Sequence, residues 1–228
     1  MNEEIYPVLD KGFIRLVDTM GDDMSVVKAA RVSYGKESKG KEADKKLINY
    51  LMKHNHGTPF EHLNFTFHIK APIFVARQWF RHRIGSFNEI SGRYVTLKLD
   101  FWTPDEWRTN NKKNKQSSGD GAFHPQLQEE LIMEYMNTLT QTQKTYEKLL
   151  KNGVAREQAR GILPVSTYTE FYWTVNARSL FNFIKLRSHK TAQKEIQEYS
   201  NIIHLLVKNI APWTFEAFET HNLNYTYT

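Results

Sequence analysis

The run RHRIGSFNEISGR, Arg81 to Arg93, gathers three arginines, a histidine, a carboxylate and two serines directly after the apolar stretch APIFVARQWF. Guanidinium forks grip phosphate through paired N–H bonds, and Ser, Asn and backbone N–H groups of an irregular, glycine-containing loop complete a cradle for oxyanions. Glu89 has no use against phosphate. As an acceptor it suits a ribose hydroxyl, an N–H of a base or a neighbouring arginine. The mixture points to a site for phosphate plus sugar, set against the plainer alternative of an exposed turn with internal Arg–Glu pairs. Ser86 and Ser91, with His82 as base, lack an acyl-transfer context, so Ser91 reads as a hydrogen-bond donor to a nucleotide. Of the histidines His54, His56, His62 and His68, all but His56 read as structural or hydrogen-bonding groups, because Gly57 and Pro59 interrupt the helix that an HExxH metal motif needs.

These residues need a frame. FTFHIK alternates Phe65, Phe67 and Ile69 with polar neighbours, as a half-buried strand does, and TYTEFYWTV is rich in strand formers. Pro72 opens a helix through IFVARQWF that delivers the chain to Arg81. Ile5 to Thr19 reads as an extended segment with a turn at Gly12, followed by a helix capped by Asp22 or Asp23. A helix over Ala43 to His54 places Leu47, Tyr50, Leu51 and His54 on one face and stops before Gly57 and Pro59. YVTLKLDF alternates Val95, Leu97, Leu99 and Phe101 and predicts a strand. Residues 108–121 are polar and glycine-containing, which predicts a mobile surface loop. A long helix follows from Pro125 to Asn152, then a short one in REQARGIL. NARSLFNFIKLR is helical, with Asn176, Leu180, Phe183 and Arg187 along one face and Arg178 and Asn182 on a neighbouring one. Two more helices are expected over Lys190 to Asn209 and Trp213 to His221.

Hydrophobic residues make up 40% of the 228, enough for a folded core, and no repeat or linker divides the chain. No apolar run approaches the roughly 20 residues of a membrane span. The acidic start MNEEIYPVLD has no secretory pattern, so a cytoplasmic protein is expected. The net charge of +6 favours an anionic partner: nucleic acid, a nucleotide or another phosphorylated small molecule. A basic RNA-binding domain would spread its cations along one surface, whereas here the arginines concentrate in short segments with Asn and Glu. Cysteine is absent, which excludes a protein thiolate nucleophile.

The pattern Arg-His-Arg-x-x-Ser-x-Asn-Glu-x-Ser-x-Arg resembles the signature of flavin-dependent thymidylate synthases at every fixed position. The resemblance continues through LDKGFIRLVD, HGTPFEH, APIFVARQWFRHR, NARSLFNFIKLR and PWTFEAF, leaving only residues 108–121 and the tail after His221 unmatched. It implies an α/β fold in one domain, with a central, mostly antiparallel sheet flanked by long helices, and a homotetramer with active sites shared between subunits. It also implies FAD as cofactor, dUMP as substrate, methylenetetrahydrofolate as carbon donor and NADPH as reductant. By position, it sets Thr58, Arg81, His82, Arg83, Glu89, Asn176, Ala177, Arg178 and Asn182 beside the flavin, with His56 near flavin and folate. It assigns the nucleotide to Gln78, Trp79, Phe80, Arg81, Glu89, Ile90, Ser91, Gly92, Arg93, Arg160 and Arg187, the last of these acting on N3 of the uracil. The missing cysteine agrees, since reduced FAD delivers hydride and relays the one-carbon unit where other thymidylate synthases attack dUMP with a thiolate. A flavoprotein of related shape acting on another nucleotide is the competing expectation.

Overall fold

The computed structural model describes residues 4–223 apart from 34, 36, 112–117 and 120. Five strands, β1 (Tyr6–Val8), β2 (Gly12–Met20), β3 (Asn64–Pro72), β4 (Ser86–Glu89) and β5 (Tyr168–Asn176), form one sheet in the order β1-β2-β3-β5-β4. Every neighbouring pair is antiparallel. The period of two decides which face is buried. Phe65, Phe67 and Ile69 of β3 and Phe171, Trp173 and Val175 of β5 point into the core, while Thr66 and His68 lie opposite Thr174 and Tyr172 on the polar face.

The helices are α1 (Asp23–Val32), α2 (Lys41–Lys53), α3 (Ile73–Trp79), α4 (Pro125–Lys151), α5 (Arg156–Ala159), α6 (Ala177–Arg187), α7 (Lys194–Ile210) and α8 (Pro212–Asn222). On the apolar side of the sheet α3, α6 and α7 bury Val75, Trp79, Leu180, Phe183, Ile184, Ile196, Tyr199 and Ile203. The fold is thus α/β, with long helices around a wholly antiparallel sheet. Asp22 caps α1 by accepting from Ser25 N at 3.1 Å. Asp23 instead accepts from Trp213 N and Thr214 N, both at 2.9 Å, and so ties α1 to the start of α8.

Several expectations need correction. The turn between β1 and β2 is made by Leu9, with φ 58, while Gly12 opens β2 where a Cβ would overlap the Tyr199 hydroxyl of α7. Tyr94 to Phe101 is not a strand. After Ile90 N donates to Glu170 O, the bonds from Tyr94 N and Val95 N to Ser91 O curl the chain away from the edge of β5. Within Tyr94 to Phe101 the last residue bridges to Thr167, and Leu97 N donates to Tyr146 Oη of α4. Alternation alone does not make a strand where no edge is within reach. The signature itself is less irregular than expected, since Ser86–Glu89 pairs with β5 as the edge strand β4.

On α2 the buried face is Asp44, Ile48, Leu51 and Met52, and Tyr50 and His54 lie outside, ring against ring at 4.4 Å. The face turns because Asp44 goes inward, where Arg31 reaches it at 2.5 Å and the Ser38 hydroxyl donates to its other oxygen. Half of the expected mobile loop, 112–117 and 120, lies outside the described residues. Its described ends meet through an Asn110–Ser118 bridge.

Candidate active site

Helix α3 ends at Trp79, and His82 N then donates to Trp79 O at 2.9 Å, a tight turn that fixes the start of the signature. From the other side, Asn176 closes β5 and caps α6, its side chain accepting from Ser179 N at 2.9 Å. These two junctions face each other across a cleft of about 670 Å³ lined by Glu61, Arg81, His82, Arg83, Asn176, Arg178, Asn182 and Arg187, among others. That volume lies in the range of cofactor sites. Four guanidiniums and one carboxylate make the cleft strongly cationic, and Glu61 is already paired with Arg178 at 2.5 Å.

Arg187, in the last turn of α6, donates from Nε to His82 Nε2 at 2.9 Å and from Nη2 to Gln78 O at 3.1 Å. Among the described residues no carboxylate pairs with it, so its charge is not cancelled. Burial, and then the neighbouring Arg187 charge, push the His82 imidazole down to about 4, which keeps it neutral near pH 7.

The approach to the cleft from α2 was only partly legible. Asn55, with φ 57, ends that helix in the left-handed conformation, two residues before the expected stop at Gly57. Gly57 has a different task. A Cβ there would stand 2.5 Å from Arg178 Nε, so a larger residue would push the arginine off its path toward Glu61. Thr58 follows as the first residue of a 3-10 turn, Thr58–His62. His56 is exposed and packs with Tyr50 and His54, their rings 6.0 and 6.4 Å from its own. Gly57 and Glu61 were missed as site residues, although both sit inside HGTPFEH, where a glycine before Thr-Pro and a carboxylate before His62 were the available signals. Replacing Gly57 with alanine is expected to displace Arg178 and to weaken severalfold the hold of the cleft on an anionic ligand. The Glu61 pair, exposed on both sides, contributes only about 0.2–1 kcal/mol, so the melting temperature should change little. Ligand retention after gel filtration, beside a thermal melt, separates the two effects.

A second group forms around the turn after β4. Arg93 N donates to Ser91 Oγ at 3.3 Å, and the Arg93 side chain lies 3.7 Å from Glu157. Gly92 is buried beneath Leu97 and the stem of Arg160, which brings Arg160 to this turn. Ile90 is exposed. Glu89 accepts from the Thr169 hydroxyl at 2.6 Å. The cleft lining includes none of Ser91, Gly92, Arg93 and Arg160. Gln78 turns its amide to Gln193, at 2.5 Å, and Phe80 packs on Phe87 and Phe171. Trp79 is fully buried, so any contact it makes with a nucleotide runs through its main chain. Ala177 is likewise buried at the start of α6.

In this antiparallel α/β chain the cleft between the turn after α3 and the capped start of α6, with its guanidiniums and amides, suits a large anionic cofactor. The cleft volume and its surplus of positive charge fit such a group. Comparison with known proteins gives the family. A model described as "Thymidylate synthase complementing protein" matches residues 15–213. The flavin-dependent thymidylate synthase of Thermosipho melanesiensis is 57% identical over 217 residues, 95% of this chain and 94% of that protein. That of Thermotoga neapolitana is 51% identical over 212 residues, 93% of each. Among solved structures, the UMP/dUMP methylase PolB from Streptomyces cacaoi, bound with 5-Br dUMP, superimposes with a TM-score of 0.84 at 35% identity, covering 93% of this chain and 97% of that one. The chain belongs to the flavin-dependent thymidylate synthase family, and it is an enzyme of the methyltransferase class.

Proposed function

We propose that the chain converts dUMP to dTMP by reductive methylation, with FAD as the flavin, methylenetetrahydrofolate as carbon donor and NADPH as reductant. The observation that carries this reading is the convergence of Arg81, Arg83, Arg178 and Arg187 on one cleft beside a neutral imidazole. The chain also has no cysteine with which to attack the pyrimidine ring. When bound, the flavin supplies the hydride-transfer chemistry. The chain's own residues supply grip, orientation and charge.

In this reading Thr58, Arg81, His82, Arg83, Glu89, Asn176, Ala177, Arg178 and Asn182 hold FAD, the guanidiniums opposing its diphosphate. His56 stands near flavin and folate at the end of α2. Gln78, Trp79, Phe80, Arg81, Glu89, Ile90, Ser91, Gly92, Arg93, Arg160 and Arg187 hold dUMP, and Arg187 stabilises the negative charge that develops when N3 of the uracil ionises. The complete site draws the Ser91–Arg93 turn and Arg160 from a neighbouring subunit of a homotetramer. Two features support an assembly: α4 buries only Leu139 and Tyr146 of its 27 residues, and Ile84, Ile90, Tyr94 and Val95 are exposed around the signature. The chain works as one domain over residues 1–228, in the cytoplasm, on small molecules and not on nucleic acid or membrane. Among the described residues no helix is long and apolar enough to cross a membrane.

Replacing Arg93 with alanine is expected to weaken dUMP binding by about 1.5–3 kcal/mol, the range for a hydrogen bond to a charged group. The Arg93–Glu157 pair is long and more than half exposed, so its loss should leave folding intact. Calorimetric titration with dUMP, and with UMP, dCMP and dTMP as comparison ligands, reads both affinity and selectivity. An unchanged dUMP dissociation constant would remove Arg93 from the site, and equal binding of dCMP would move the function to another nucleotide.

A further inference from the structure

We propose that His82 is a positioning residue for Arg187: its imidazole, as a neutral acceptor, aims the guanidinium into the cleft without cancelling its charge. The inference rests on the reading of Arg187 as a nucleotide-binding group and gives His82 a task distinct from flavin contact.

The geometry is specific. Arg187 Nε–H donates to His82 Nε2 at 2.9 Å, so Nε2 carries no proton and the ring is the Nδ1–H tautomer. Arg187 Nη2 donates to the Gln78 carbonyl at 3.1 Å, and the remaining N–H groups are left for the cleft that Arg187 lines. The residue is itself held, its main-chain N–H donating to Trp79 O and its ring edge-on to buried Phe183 at 5.0 Å. A carboxylate at this place would orient Arg187 equally well, but it would neutralise the charge that an anionic ligand needs and oppose that ligand directly. An imidazolium would repel the guanidinium. Around His82 stand Arg81 and Arg83 in its own segment, Arg178 and Arg187 on α6, and Glu61 of the 3-10 turn, already paired with Arg178. Burial of the ring, and next the adjoining Arg187 charge, keep it neutral. They hold its pKa near 4, so the anchor is intact at pH 6–8 and is lost only as pH falls through about 4.

The test combines a double-mutant cycle with a direct view of the anchor. Dissociation constants for dUMP are measured by calorimetry on FAD-loaded protein at pH 8, for the wild type, His82→Phe, His82→Gln, Arg187→Ala and the His82→Phe/Arg187→Ala pair. The expected result is about tenfold weaker binding for His82→Phe, recovery to within about threefold for His82→Gln, whose amide oxygen accepts in place of Nε2, and no added loss from His82→Phe once Arg187 is gone. In parallel, the Arg187 Nε–H resonance of 15N-arginine-labelled protein should exchange slowly in the wild type and His82→Gln, and lose that protection in His82→Phe. The proposal is overturned if the Nε–H signal is unchanged in His82→Phe, or if His82→Phe costs as much affinity without Arg187 as with it. A protected Nε–H together with unchanged dUMP affinity in Arg187→Ala would retain the His82 anchor and refute instead the role of Arg187 in nucleotide binding.

Discussion

Replacing Arg187 with alanine is expected to lower the rate of dTMP formation by about 10²–10³, the magnitude seen when one preorganised donor to a developing charge is removed. Arg187 reaches the cleft from the last turn of α6, and its two anchors, His82 Nε2 and Gln78 O, are both uncharged. Its positive charge is therefore uncancelled, half-buried and fixed before substrate arrives, so in the proposed role little reorganisation is needed as negative charge grows on the uracil. Lysine at this position keeps the charge but not the fork that engages both anchors, so Arg187→Lys should recover only part of the rate. Steady-state kinetics with dUMP varied, beside a far-ultraviolet circular dichroism spectrum to confirm the fold, checks the expectation. A rate within a fewfold of wild type would remove Arg187 from the chemistry.

Trp79→Ala should be the most damaging change to stability, at about 3–5 kcal/mol. The indole is fully buried and packs edge-on against Phe171 and Trp173, each at 5.4 Å, and against Tyr199 at 5.7 Å, with Phe183 tilted over it at 4.8 Å. No neighbour in this cluster of large rings can collapse into the space. The residue is also the last of α3, and its carbonyl holds His82, so the same loss loosens the signature that follows. For a chain of this length the melting temperature should fall by roughly 10 °C, with Trp79→Phe between the variant and the wild type. A melt within about 2 °C of wild type would contradict the assignment of Trp79 to the core.

That assignment also marks where reading residues one by one stops short. The alternation of Phe65, Phe67 and Ile69, the strand formers from Tyr168 to Val175 and the apolar period of α6 lead to the observed elements, because in each the buried face is set by spacing alone. The turn of α2 toward Asp44 was hidden, since a buried carboxylate is admitted only by its partners Arg31 and Ser38, one on a different helix and one in the preceding loop. Val95, Leu97 and Leu99 carry a strand-like pattern, but the Ser91 turn takes them off the sheet edge. Of the site, the arginines and amides were legible as types in short motifs. The Glu61–Arg178 pair and the closeness of Gly57 to Arg178 were not, because they join segments more than a hundred residues apart.

The measurement that tests the central claim most directly is an anaerobic assay of the purified protein, reconstituted with FAD, for dTMP from dUMP, methylenetetrahydrofolate and NADPH. The account predicts dTMP that appears only when flavin is bound. No dTMP from protein that demonstrably holds FAD would contradict it, and would move the function to another nucleotide or another carbon donor.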